Sequence, residues 1–161
     1  MTSDSNNREM LRHTVATLAY RGSKVVANMP KDFATFRAAE TSRTAGEILA
    51  HIGDLLDWSL QVAKGNYVYK ELAPRSWEED VGRFFAALQE LDTYLASPAP
   101  LGYPAEKIFQ GPIADALTHV GQIALLRRLA GVPVRGENYF NADIVTGQVG
   151  KEQSAQRVEF D

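Results

Sequence analysis

Apolar residues recur at helical spacing along four stretches of the chain, and each stretch is bracketed by residues that start or stop helices. Leu11, Val15, Leu18, Val25 and Val26 form a stripe that predicts a first helix over about 6–28, which Pro30 bars from continuing. The following loop carries Phe33 and Phe36, too apolar for a free linker, and is expected to pack over the helices. Thr44 and Glu47 make a capping box for a second helix, in which each side chain satisfies a free amide of the other residue. Ile48, Leu49, Ile52, Leu55, Leu56 and Trp58 carry its apolar period to an end near Lys64-Gly65, and a tyrosine-rich loop follows over 66–74.

Ser76 and Glu79 form a second capping box, and Val81, Phe84, Phe85, Leu88, Leu91 and Leu95 define a third helix closed by Pro98 and Pro100. Gly111-Pro112 is expected to open the fourth helix, with proline in the first turn, and Gly131 to cap it, with Pro133 just beyond. The tail over 132–161 is polar and rich in Gly, Asn, Gln and charge, with short helical turns expected at 142–146 and 151–155. These signals agree on an all-α four-helix bundle over about 6–131, a single domain with its C-terminal tail packed on the bundle. A contact within a dimer is the other use open to that tail.

Composition narrows the function more than the fold. The 161 residues suffice for a substantial core, and 45% hydrophobic with 23% charged residues is ordinary for a folded domain. Seventeen Lys and Arg against twenty Asp and Glu give a net charge of −3, so no nucleic-acid partner is expected. The one basic doublet, Arg127-Arg128, falls in the last turn of the fourth helix, where cations complement the helix dipole. The polar N-terminus lacks a signal-peptide core, and no apolar run approaches the roughly 20 residues of a membrane span. A cytoplasmic protein with no membrane partner is the expectation. The absence of cysteine excludes disulfides, a thiolate nucleophile and sulfur-ligated metal.

Chemistry therefore rests on histidine and carboxylate, and the chain has only three histidines. His51 lies among Ile48, Ile52 and Leu55, on the face of the second helix expected to be buried. In the fourth helix Asp115 precedes His119 by one turn, so both share a face with Pro112, Gln122 and Leu126. Either this polar stripe points inward, where it needs a partner or a ligand, or it faces solvent while Leu117, Val120, Ala124 and Leu125 supply the core. Two neutral imidazoles and one carboxylate make a competent first shell for a divalent transition metal. Asp54 and Gln122, each one turn from a histidine, are candidate outer partners of His51 and His119. His13, beside Arg12, is expected at the surface. Trp58, Trp77, Tyr20, Tyr67 and Tyr69 are candidates to line a pocket at the bundle mouth, Arg75 and Arg83 to converge on an anion, and Glu137-Asn138-Tyr139 to form a lid.

His51 in the run Glu-Ile-Leu-Ala-His, followed by Asp115-Ala-Leu-Thr-His119-Val-Gly-Gln122 in the fourth helix, resembles the DinB-like superfamily over about 11–131. That resemblance implies a four-helix bundle with a divalent metal (Zn, Ni, Mn or Fe) held by one histidine of the second helix and two ligands of the fourth. His51 and His119 match the family pattern; Asp115 stands where the family usually has histidine. It further implies a metal-dependent thiol transferase or hydrolase acting on a small molecule, with a low-molecular-weight thiol as partner. The alternative is a non-catalytic stress-response or binding bundle with a degenerate metal site. A homodimer is expected.

Overall fold

The computed structural model describes residues 3–153 and 156–160. Four long helices form an all-α bundle: α1 (Ser3–Val26), α2 (Ala45–Ala63), α3 (Trp77–Ala96) and α5 (Ala114–Leu129), with the short α4 (Ala105–Ile108) leading into the last. Packing runs around the bundle in the order α1, α3, α2, α5 and back to α1, so α2 lies diagonally across from α1. The core is the inner face of each helix. Val15, Leu18, Leu49, Ile52, Leu56, Phe84, Leu88, Leu91, Ile113 and Ile123 are all essentially inaccessible. Among the described residues no helix is long and apolar enough to cross a membrane.

The local stop and start signals act as the sequence predicts in α2 and α3. Thr44 Oγ1 accepts from the Glu47 amide at 3.1 Å while Glu47 Oε2 accepts from the Thr44 amide at 2.6 Å. Ser76 and Glu79 repeat the arrangement at the start of α3. Helix α2 ends in a Schellman motif at Gly65 (φ 89°), where the amides of Gly65 and Asn66 return to the carbonyls of Val62 and Gln61. Gly131 (φ 78°) closes α5 in the same way, its amide and that of Val132 returning to Arg128 and Arg127. Helix α1 ends two residues before the expected Asn28, which itself takes a left-handed φ of 55°. Phe33 is buried in a 3₁₀ turn, Phe33–Thr35, and packs edge-on against Trp77, so the first loop does cover the bundle.

The fourth helix departs from expectation. Helical structure begins at Ala105, not at Gly111-Pro112, and Pro112 sits inside it within a π segment, Phe109–Ile113. Proline cannot donate to the carbonyl four residues earlier and its ring clashes there. The wider π turn absorbs the conflict: the Ala114 amide reaches back five residues to the Phe109 carbonyl. The extra residue also rotates everything downstream, and so sets the face from which α5 presents its polar side chains.

The tail packs on the bundle against α1. Glu137 and Glu159 form an isolated antiparallel bridge, flanked by the amide of Asn138 to Val158 O and that of Phe160 to Gly136 O. The Glu137 side chain, 0% exposed, accepts from the Tyr20 hydroxyl and from Lys24 Nζ at 3.1 Å, with Arg157 3.6 Å away. The expected lid role of Glu137-Asn138-Tyr139 is thus replaced by an anchor: Tyr139 packs edge-on against Tyr20 and under the Arg21 guanidinium. Residues 142–146 run from a bend at Ala142 through irregular backbone to a turn at Thr146, not helix; of 151–155, residues 151–153 are non-helical and 154–155 lie outside the described residues.

Candidate metal centre

His51, Asp115 and His119 come together in the seam between α2 and α5. One ligand atom from each lies within 4.8 Å of the other two. His119 Nε2 is 3.4 Å from Asp115 Oδ1, and the His51 and His119 rings meet edge-to-face with centroids 4.7 Å apart. The two accounts of the α5 stripe each hold in part. Pro112 and Leu126 are buried, Asp115 and Gln122 are exposed, and the His119 side chain is 12% exposed between them. Leu125, a candidate core residue, is exposed instead, whereas Val120 is buried. His51 is half-buried at the edge of the core, not inside it. The cluster therefore lies at the solvent-accessible edge of the α2–α5 seam.

Hydrogen bonds orient both imidazoles. His119 Nδ1 donates to Gln122 Oε1 at 2.8 Å, which leaves the Nε2 lone pair facing Asp115. His51 Nδ1 pairs with the Tyr69 hydroxyl at 3.1 Å; in the tautomer in which Nδ1 donates to the hydroxyl oxygen, Nε2 presents its lone pair. Burial lowers the pKa of His51, and the Arg43 and His119 charges add to that, against a smaller opposing effect of Asp115. A histidine held neutral is a histidine ready to ligate.

The donors fit a first-row divalent ion. Metal–ligand bonds of about 2.0–2.2 Å at tetrahedral angles separate donors by roughly 3.2–3.6 Å. The Asp115–His119 pair already has that spacing, and His51 needs only a side-chain adjustment on the order of 1 Å to complete the set.

Asp54 is not the outer partner of His51. It is 1% exposed and accepts from Arg83 Nη2 at 2.7 Å and from the Leu72 amide at 3.3 Å. Three residues of helix leave side chains about 60° apart around the axis, enough to turn His51 toward α5 and Asp54 toward α3. Tyr69, on the loop, takes the place expected of Asp54. Its only sequence signal was its place in the tyrosine-rich loop. Arg83 does not converge with Arg75 on an anion either, because it is held by Asp54, Asp57 and the Ala50 carbonyl. Burial raises the Tyr69 pKa, with Asp54 and Glu71 adding, so its hydroxyl stays protonated at neutral pH.

The remaining candidates belong to the scaffold. Trp77 donates to the Val26 carbonyl and Tyr20 is buried under the tail; only Trp58, Tyr67 and Tyr69 cluster near the site. His13 is exposed, 3.3 Å from Thr146 Oγ1. Arg127 does more than complement its own helix dipole. It is buried and donates to the carbonyls of Val25, Ala27 and Val132, tying the end of α1 to the end of α5. Compared with protein-family models, curated proteins and solved structures, the chain matches none.

Proposed function

We propose that this chain is a divalent-metal protein of the DinB-like kind, with His51, Asp115 and His119 as ligands and Zn, Ni, Mn or Fe as the ion. The observation that carries the reading is the convergence of three donors from two helices within 4.8 Å, two of them imidazoles with their outer nitrogens hydrogen-bonded. Structural polar clusters have no need to aim lone pairs at one another, whereas metal sites do. Supporting it is a solvent-accessible cavity bordered by His51, which leaves room for a small molecule beside that residue.

The reaction class that fits is thiol transfer or hydrolysis in the cytoplasm. A bound divalent ion supplies Lewis acidity, lowering the pKa of an incoming thiol or water at neutral pH. Within the chain, Gln122 fixes the His119 tautomer, Tyr69 fixes the His51 ring, and Asp115 reduces the net charge of the site by one. The test is metal-dependent consumption of a low-molecular-weight thiol against a panel of electrophiles, alongside ester and amide hydrolysis. Activity should disappear in His51→Ala and His119→Ala while both variants remain folded. Metal binding without turnover on any substrate supports the second reading, a binding bundle. The engagement of Arg83 by two carboxylates favours that reading, since it removes one cation expected to hold an anionic thiol.

A further inference from the structure

Next to the ligand cluster lies a cavity of about 350 Å³ whose wall includes His51, Arg43, Glu47, Asp54 and Glu71. Arg43 is its only cation. It sits just ahead of the Thr44 cap, exposed, and among the described residues it makes no ion pair or side-chain hydrogen bond. Two of the three acids on the wall are engaged elsewhere: Glu47 by the Thr44 amide, Asp54 by Arg83 and the Leu72 amide. Arg43 is thus a fork of donors facing a ligand-sized space, with a metal ligand on the same wall.

We infer that Arg43 is a specificity residue that binds the carboxylate of a small monoanionic ligand whose other end reaches the His51, Asp115, His119 centre. The inference rests on the metal reading above and adds the substrate class. A planar guanidinium matches a carboxylate in two parallel hydrogen bonds, stronger than neutral ones. Glu71, exposed on the same wall, disfavours a second negative charge, so a monoanion suits the cavity better than a dianion. Helix α2 places Glu47 and His51 one turn apart on one face, and Arg43 precedes the helix at that N-terminal end, just ahead of the extended Thr44 cap.

The test uses the full chain loaded with Co(II), with metal content measured first. The probes are 3-mercaptopropionate and 4-mercaptobutyrate, each against its neutral amide, with binding read from the thiolate-to-cobalt absorption. The acids should bind up to about fivefold more tightly than the amides, the upper end for an ion pair on an exposed guanidinium. Arg43→Gln should erase that preference at unchanged cobalt content, and Arg43→Lys should restore part of it. An equal acid preference in Arg43→Gln, no preference in the parent, or no binding of any probe to cobalt-loaded protein overturns the inference and leaves the metal reading standing. A chain that takes up no cobalt sinks both.

Discussion

Gln122 offers the sharpest single perturbation of the proposed centre, because it would act on a bound metal only through His119. Its Oε1 accepts from His119 Nδ1 at 2.8 Å, which holds the ring in the tautomer that presents Nε2 toward Asp115. In Gln122→Leu that acceptor is gone, and the ring is free to rotate or to carry its proton on the ligating nitrogen. Loss of such an outer partner costs metal sites about 10- to 100-fold in affinity. Gln122 is exposed, so water can take over part of its role, and the lower end applies: about tenfold, or about 1.4 kcal/mol. Gln122→Glu should bind metal more tightly than the parent, since a carboxylate is the stronger acceptor. The assay is competition against a chromophoric zinc chelator at neutral pH, with a thermal melt of the apo forms as control. An exposed side chain of this kind should move apo stability by no more than about 0.5 kcal/mol. Parent-like zinc affinity in Gln122→Leu would refute the orientation argument.

Other consequences follow from the same contacts. Asp54→Asn should leave zinc affinity within about twofold while lowering stability by about 1–3 kcal/mol, because Arg83 loses its buried charged partner and the new amide NH2 cannot accept in place of one of the two carboxylate oxygens; the chelator assay and urea unfolding separate the two. Glu137→Gln should cost about 2–4 kcal/mol, below the full cost of breaking a buried pair because Lys24 keeps Glu159 at 2.6 Å, and should lower Tm by roughly 5–12 °C. Burial alone would raise the Glu137 pKa, but the hydrogen bonds from Tyr20 and Lys24 and the Lys24 and Arg157 charges bring it below its ordinary 4.5. Its stabilisation is therefore complete above about pH 4.5 and is lost as pH falls through the lower folded value, so acid unfolding should be steeper in the parent than in Glu137→Gln. Gly131→Ala places a side chain at φ 78° and should cost about 1–2 kcal/mol in a denaturant titration.

Most of the scaffold was legible because its signals are local. A capping box needs only residues three apart, and both boxes form as read, as does the glycine stop at Gly131. The π segment was not legible, because Gly111-Pro112 reads equally well as a helix start, and only the packing of Ile108 and Ile113 into the core makes continuing the helix worthwhile. The candidate ligand cluster was legible in part. The four-residue spacing of Asp115 and His119 fixes their shared face, but no spacing relates them to His51 across 64 residues of chain; the resemblance supplied that link. Partners were the weakest point. Asp54 sits one turn from His51 yet turns to Arg83, while Tyr69 arrives from a loop whose path no periodicity describes.

Metal content of untagged protein, purified without chelator and measured by plasma mass spectrometry, tests the central claim most directly when run beside His51→Ala and Asp115→Ala. The account predicts close to one divalent ion per chain in the parent and loss of it in both variants. Metal retained in both variants, or none taken up by the parent after reconstitution with Zn, Ni, Mn and Fe(II), would contradict it.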